Sequence, residues 1–113
     1  AALLVAQLEN LDSFITEKRK LAISYETFFK NTDYYFFKEP KNSKSNYWLN
    51  TLLLKDLVER DNYLNYLNDQ NIMSRPVWNL INNLDMYKQC PKSDLSNSMW
   101  LENRLINIPS SVC

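Results

Sequence analysis

Apolar positions recur at alternating spacings of three and four through the first thirty residues, which predicts an amphipathic helix over 1–31. Leu4, Leu8, Leu11, Ile15, Ala22, Tyr25 and Phe29 form the stripe, and Phe14, Leu21 and Phe28 widen it. Lys18 is its one interruption, and Glu9, Glu17, Arg19, Lys20 and Glu26 fill the polar side. Asn10 marks a kink, with Asp12 or Ser13 placed to cap a second segment. The stripe is already running at Ala1, with no capping residue and no initiator methionine. The expectation from this is a fragment whose missing part lies N-terminal.

The period then changes. Tyr34 to Phe37 are four aromatics of high strand propensity, closed by Pro40. "NYWLNTLLL" alternates as a strand, with Tyr47, Leu49, Thr51 and Leu53 on one face and Trp48, Asn50, Leu52 and Leu54 on the other. The polar "KNSKS" between them predicts an antiparallel pair. Residues 56–70 read as a helix capped by Asp56, with Leu57, Tyr63, Leu64 and Leu67 inward and Asn71 supplying a left-handed stop. "IMSR" is a short strand ended by Pro76, and the proline keeps Arg75 extended. Helical turns follow over 77–106, interrupted at Pro91, and the last helix is capped by Ser93 or Asp94 with Leu101 and Leu105 inward. "INIPSSV" reads as an extended tail. The order predicts one α+β domain over 1–113: a long N-terminal helix, an α/β core over 33–75, and C-terminal helices beside a small antiparallel or mixed sheet.

Composition narrows the chemistry. The 113 residues suffice for one domain, and 45% hydrophobic content supports a packed core. Thirteen basic and thirteen acidic residues cancel, which argues against nucleic acid as a partner. No apolar run is long enough to span a bilayer. Cys90 and Cys113 do not make a disulfide framework, so the expected setting is reducing and cytoplasmic. The sequence has no histidine, which excludes imidazole triads and histidine metal sites from this chain. It has no glycine either, which excludes glycine-rich phosphate loops. No metal ligands and no catalytic residues are expected.

Several segments carry a family likeness. Ala1, Ala2, Gln7, Leu8, Lys18 and Arg19 stand where a paired-alanine, Gln-Leu and basic-helix pattern is expected. Ile72 to Arg75, then Trp78, "LDMYK" and "LINIPSS" continue the match. The chain resembles the C-terminal small domain of sugar aminotransferases of the DegT/DnrJ/EryC1/StrS family, fold-type I enzymes dependent on pyridoxal phosphate. "SNYWLN" and "SRPVW" are most similar to the subgroup acting in legionaminic acid and related nonulosonic or bacillosamine-type sugar synthesis. Leu4 and Asn71 occupy positions where the family commonly has glycine. The resemblance implies that the Schiff-base lysine, the cofactor-binding aspartate and a Gly-x-Asn-x-Arg segment belong upstream of Ala1. It therefore implies a fragment that is inactive alone and binds no cofactor. The parent would be a homodimeric enzyme moving an amino group, from glutamate, to a nucleotide-linked 4-keto sugar for surface-polysaccharide synthesis. Its partners would be the large cofactor domain of the same chain and the nucleotide-sugar.

Candidate substrate residues follow. The Arg75 guanidinium offers a planar fork to phosphate or carboxylate, against the alternative of a surface ion pair. Trp78 either stacks on a sugar or base or plugs a packing interface. Lys44, Asn46 and Tyr47 lead into the central strand, which approaches the active site in the family, against the alternative of a solvated loop. Tyr34 to Phe37 are packing residues or an edge meeting the large domain or a second subunit. A stand-alone interaction module remains the rival reading, because exposed aromatics mark interfaces.

Overall fold

The computed structural model describes residues 2–111; Ala1 and Cys113, both used in the sequence reading, lie outside them. Helix α1 spans Ala2–Glu9 and α2 spans Leu11–Phe29. The expected break falls at Asn10, whose side chain turns back to donate to the Ala6 carbonyl rather than capping α2. Only the second half of the long stripe is covered: Ala22 and Phe29 are buried on α2, while Leu4, Leu8 and Leu11 are exposed.

Strands β1 (Tyr35–Phe36), β2 (Asn50–Leu53), β3 (Arg75–Pro76) and β4 (Leu105–Ile108) form one antiparallel sheet in the order β1-β2-β4-β3. The architecture is α+β, and the sheet is antiparallel throughout. Tyr35 faces Leu53 and Phe36 faces Leu52, as the aromatic run and central strand predict. Helices α2 and α3 (Leu57–Asp69) contribute Ala22, Phe29 and Leu67 to a core shared with Phe36, Leu52, Leu54, Ile106 and Ile108. Each of the larger side chains, the Phe, Leu and Ile residues, stabilises the fold by about 1.5–3 kcal/mol through burial.

The end of the chain corrects the sequence reading. Residues 105–108 are neither the last turn of a helix nor the start of a tail. They form β4, an inner strand whose Ile106 and Ile108 lie opposite Leu52 and Asn50. Over 77–106 the helical content is two 3-10 turns, Ile81–Asn83 and Asp85–Tyr87, and the short α4, Ser96–Glu102. Asp94 acts one residue ahead of the N-cap Leu95, its carboxylate accepting from the Ser96 backbone and hydroxyl. Leu57 is also corrected: it is exposed, because the Asp56 cap places it at the outer start of α3.

Two turns behave as the sequence requires. The Asp56 carboxylate accepts from Glu59 N–H at 2.9 Å, which caps α3. Asn71 adopts φ 60° and closes a Schellman turn, with Ile72 N–H donating to Leu67 O and Asn71 N–H to Asn68 O. The Asn68 side chain then grips Ser74 from both sides, donating to its carbonyl and accepting from its N–H. Ser74 is thereby fixed as the residue that delivers the chain into β3.

Candidate functional site

Arg75 opens β3 opposite Asn107 of β4. Its backbone is held from behind by the Asn68–Ser74 grip and from ahead by Pro76, which disfavours helical geometry at the preceding residue. Arg75 is exposed, and the one hydrogen bond its guanidinium makes among the described residues is a long one to Met73 Sδ at 4.0 Å. The fork of donors is therefore unspent.

Trp78 follows the proline and is 70% exposed, so it plugs nothing within this chain. It meets Trp48, itself 65% exposed, with ring centroids 6.0 Å apart and planes tilted by 39°. Arg75, Trp78 and Trp48 line one groove of about 400 Å³, together with Lys18, Asn107 and Met73. Among the described residues no carboxylate lines it. Lys18 is partly committed, its Nζ donating to the Ser110 carbonyl at 2.6 Å.

Trp48 is expected to share a face with Asn50, Leu52 and Leu54, but those three are buried and Trp48 is exposed. Trp48 and Leu49 form a bend ahead of β2, so strand alternation does not reach the indole, and Tyr47 before them takes the left-handed φ of 47°. A bulky residue in this region costs of order 1–3 kcal/mol and persists only where its surroundings hold it. They do here: Tyr47 N–H donates to Ser45 Oγ, and its hydroxyl accepts from Glu39 N–H at 3.1 Å. The Arg19 guanidinium lies over its ring, 5.6 Å from the centroid. Tyr47 thus packs against the core rather than facing the groove.

The remaining candidates divide. Asn46 lines an adjoining groove of about 440 Å³ that shares Lys18 and Trp48, and its Oδ1 accepts from Trp48 N–H. Lys44 is exposed in the loop and lines neither groove. The structure therefore brings Arg75 and Trp78 together, sets Asn46 beside them, and leaves Tyr47 and Lys44 outside. Sequence reasoning missed Trp48, Lys18 and Asn107. For Asn107 the available signal was the two-residue alternation of "LINI". It also missed a larger open hollow of about 550 Å³ over residues 79–95, where exposed Cys90 lies near Tyr87 and Lys92.

Arg19 and Glu39 close the loop that carries this wall. Arg19 Nη2 and Nη1 donate to the two Glu39 carboxylate oxygens at 2.6 and 2.9 Å. Arg19, and then the Ser45 backbone, hold the Glu39 carboxyl down from its ordinary 4.5 to about 2. A folded-state value below the unfolded one adds stability above about pH 4.5 and loses it as pH falls towards 2. The acid limb of a urea-midpoint titration should therefore be shallower for Glu39→Gln than for the native chain, with the two curves parallel above pH 5.

The profile of the DegT/DnrJ/EryC1/StrS aminotransferase family matches residues 1–112. The chain belongs to that family. It is 34% identical over 112 residues to a GDP-perosamine synthase of Escherichia coli O157:H7, covering 97% of this chain. It spans 30% of that relative's length. Among solved structures it resembles the aminotransferase TlmJ from Streptoalloteichus hindustanus, with a TM-score of 0.84 at 18% identity over 94% of this chain and 29% of that one. The sugar aminotransferase Spr1654 from Streptococcus pneumoniae, in its PLP-form, gives 0.83 at 18% identity over 96% and 29%. These likenesses establish a shared fold. The narrower likeness to the legionaminic-acid subgroup gains no support from the matched relatives. Among the described residues, no helix is long and apolar enough to cross a membrane.

The Arg75 groove does not by itself fit pyridoxal phosphate. The one lysine lining the Arg75 groove, Lys18, is bonded to Ser110 O, and the chain offers no glycine at which backbone could close on a phosphate.

Proposed function

We propose that this chain is the small domain of a nucleotide-sugar aminotransferase, and that its Arg75–Trp78–Trp48 groove forms the wall against which the nucleotide portion of the substrate rests. The reaction is transfer of an amino group, from glutamate, to a nucleotide-linked 4-keto sugar destined for a surface polysaccharide. Pyridoxal phosphate supplies the electron sink for such transfers. In this reading the cofactor is held by a large domain absent from this sequence, in a cytoplasmic homodimer. The family membership and the 34% identity to a GDP-perosamine synthase support the reaction class. They do not favour the stand-alone interaction module.

The observation that carries the groove assignment is its chemistry. Two exposed indoles offer flat faces to a base, an unspent guanidinium offers a fork to phosphate, and among the described residues no acid lines the groove to oppose an anion. Asn107, opposite Arg75 in register, adds an amide at the same edge, although its Oδ1 already accepts from Thr51. GDP is the first ligand to test, because the matched relative is named for a GDP-sugar. Titrating GDP into the chain should change tryptophan emission saturably, and guanosine alone should bind more weakly because it lacks the phosphates. Emission that does not respond to GDP at millimolar concentration would remove the groove from the substrate site.

A further inference from the structure

We propose that Arg19 and Glu39 are positioning residues for Trp48, holding the loop of residues 39–47 in the form that turns this indole against Trp78. Three observations on different elements meet here. The first is the shared fork: Arg19 donates to both Glu39 oxygens and, through Nη1, to the Ser45 carbonyl at 2.7 Å. Glu39 Oε2 in turn accepts from Ser45 N–H at 2.7 Å. Both ends of the loop are therefore tied to one guanidinium on α2. The second is the left-handed Tyr47, an aromatic residue in a region it enters unwillingly. Its N–H, hydroxyl and ring face are all engaged by that same clamp, through Ser45, Glu39 and Arg19. The third is the link to the indole: Trp48 N–H donates to Asn46 Oδ1 of that loop, and Trp48 with Leu49 lies in a bend ahead of β2, so Trp48 is placed where the clamped loop enters rather than by strand alternation.

The clamp differs from a surface ion pair in geometry. Both partners are half-buried, the contact is bidentate, and the backbone of a third residue takes part. A lysine at position 19 keeps the charge, but its single ammonium lacks the planar fork that meets two carboxylate oxygens in parallel. The positioning stands independently of any ligand; only its consequence for substrate affinity rests on the groove reading above.

The test reads the indole pair directly. Coupled tryptophans give a near-ultraviolet dichroism signal, which Trp48→Phe and Trp78→Phe should each abolish, assigning it against Trp100. Arg19→Lys should lose more than half of that signal at a temperature well below its melting transition, with far-ultraviolet dichroism unchanged. Glu39→Gln provides a second variant should Arg19→Lys fold poorly, and it should reduce the signal in the same direction. If both variants melt earlier but keep the full coupled signal while folded, the pair only adds stability and the proposal is overturned. GDP titration of the native chain separates the two ideas: a silent titration removes the substrate reading and leaves the dichroism comparison to decide the clamp.

Discussion

Ile106→Ala is expected to lower the free energy of unfolding by about 3 kcal/mol, within the ~2–5 kcal/mol range for large-to-small changes at buried aliphatic sites. Ile106 is 0% exposed and faces Leu52, also 0% exposed, across the β2–β4 ladder. It also lies in register with Pro76 of β3. The loss therefore falls where the strand bearing Arg75 joins the rest of the sheet. Domains of this size are stable by only about 5–15 kcal/mol, so the change is a large fraction of the whole. A matched Ile81→Ala control, at a side chain 67% exposed, should stay within about 0.5 kcal/mol of the native chain. Urea unfolding measures both. Equal effects at the two positions would contradict the assignment of β4 to the core.

Arg75→Ala is expected to weaken GDP binding about tenfold or more, because hydrogen bonds to charged groups contribute about 1.5–3 kcal/mol. The mechanism predicts a pattern as well as a size. Arg75→Lys should recover only part of the loss, since an ammonium presents a point charge where the guanidinium presents a fork. Trp78→Ala should weaken GDP and guanosine alike, because stacking acts on the base, whereas Arg75→Ala should weaken GDP far more than guanosine. Neither change should disturb folding greatly: both side chains are exposed, and the Arg75 backbone is held by Asn68 and Pro76 rather than by its guanidinium. Titrations of the two ligands into the three variants check this pattern. A uniform loss across both ligands for Arg75→Ala would point to disruption of the groove rather than a lost phosphate contact.

Local rules carried much of the fold. The Asp56 cap, the left-handed Asn71 and the break at Asn10 depend on residues within a few positions of each other, and each is where its local chemistry puts it. The β1–β2 pairing was legible for the same reason, since two apolar runs joined by a polar loop have few other ways to bury their faces. Strand β4 was not legible in this way. Four residues ending before a proline give a weak periodic signal, and their inner place in the sheet comes from β2 and β3, partners far earlier in the chain. Trp48 failed for a sharper reason. Strand alternation puts it on the face of Asn50, Leu52 and Leu54, and the bend at Trp48 and Leu49 takes it out of the strand before that rule applies.

The candidate site shows the same division. Arg75 and Trp78 were readable because Pro76 fixes the chain around them. Their companions Trp48, Lys18 and Asn107 arrive from β2's approach, α2 and β4, so only the folded sheet brings them to one groove. Lys44 and Tyr47 were chosen for sequence proximity to the central strand. The loop instead spends Tyr47 on its own closure and leaves Lys44 facing solvent.

The groove assignment is tested most directly by mapping GDP onto the chain residue by residue with amide and indole nuclear magnetic resonance shifts. The account predicts saturable shifts at the Trp48 and Trp78 indoles, at Arg75 and at Asn107, all with one dissociation constant and all lost together in Arg75→Ala. Shifts confined to the hollow over residues 79–95, or shifts in the groove that persist unchanged in Arg75→Ala, would contradict it.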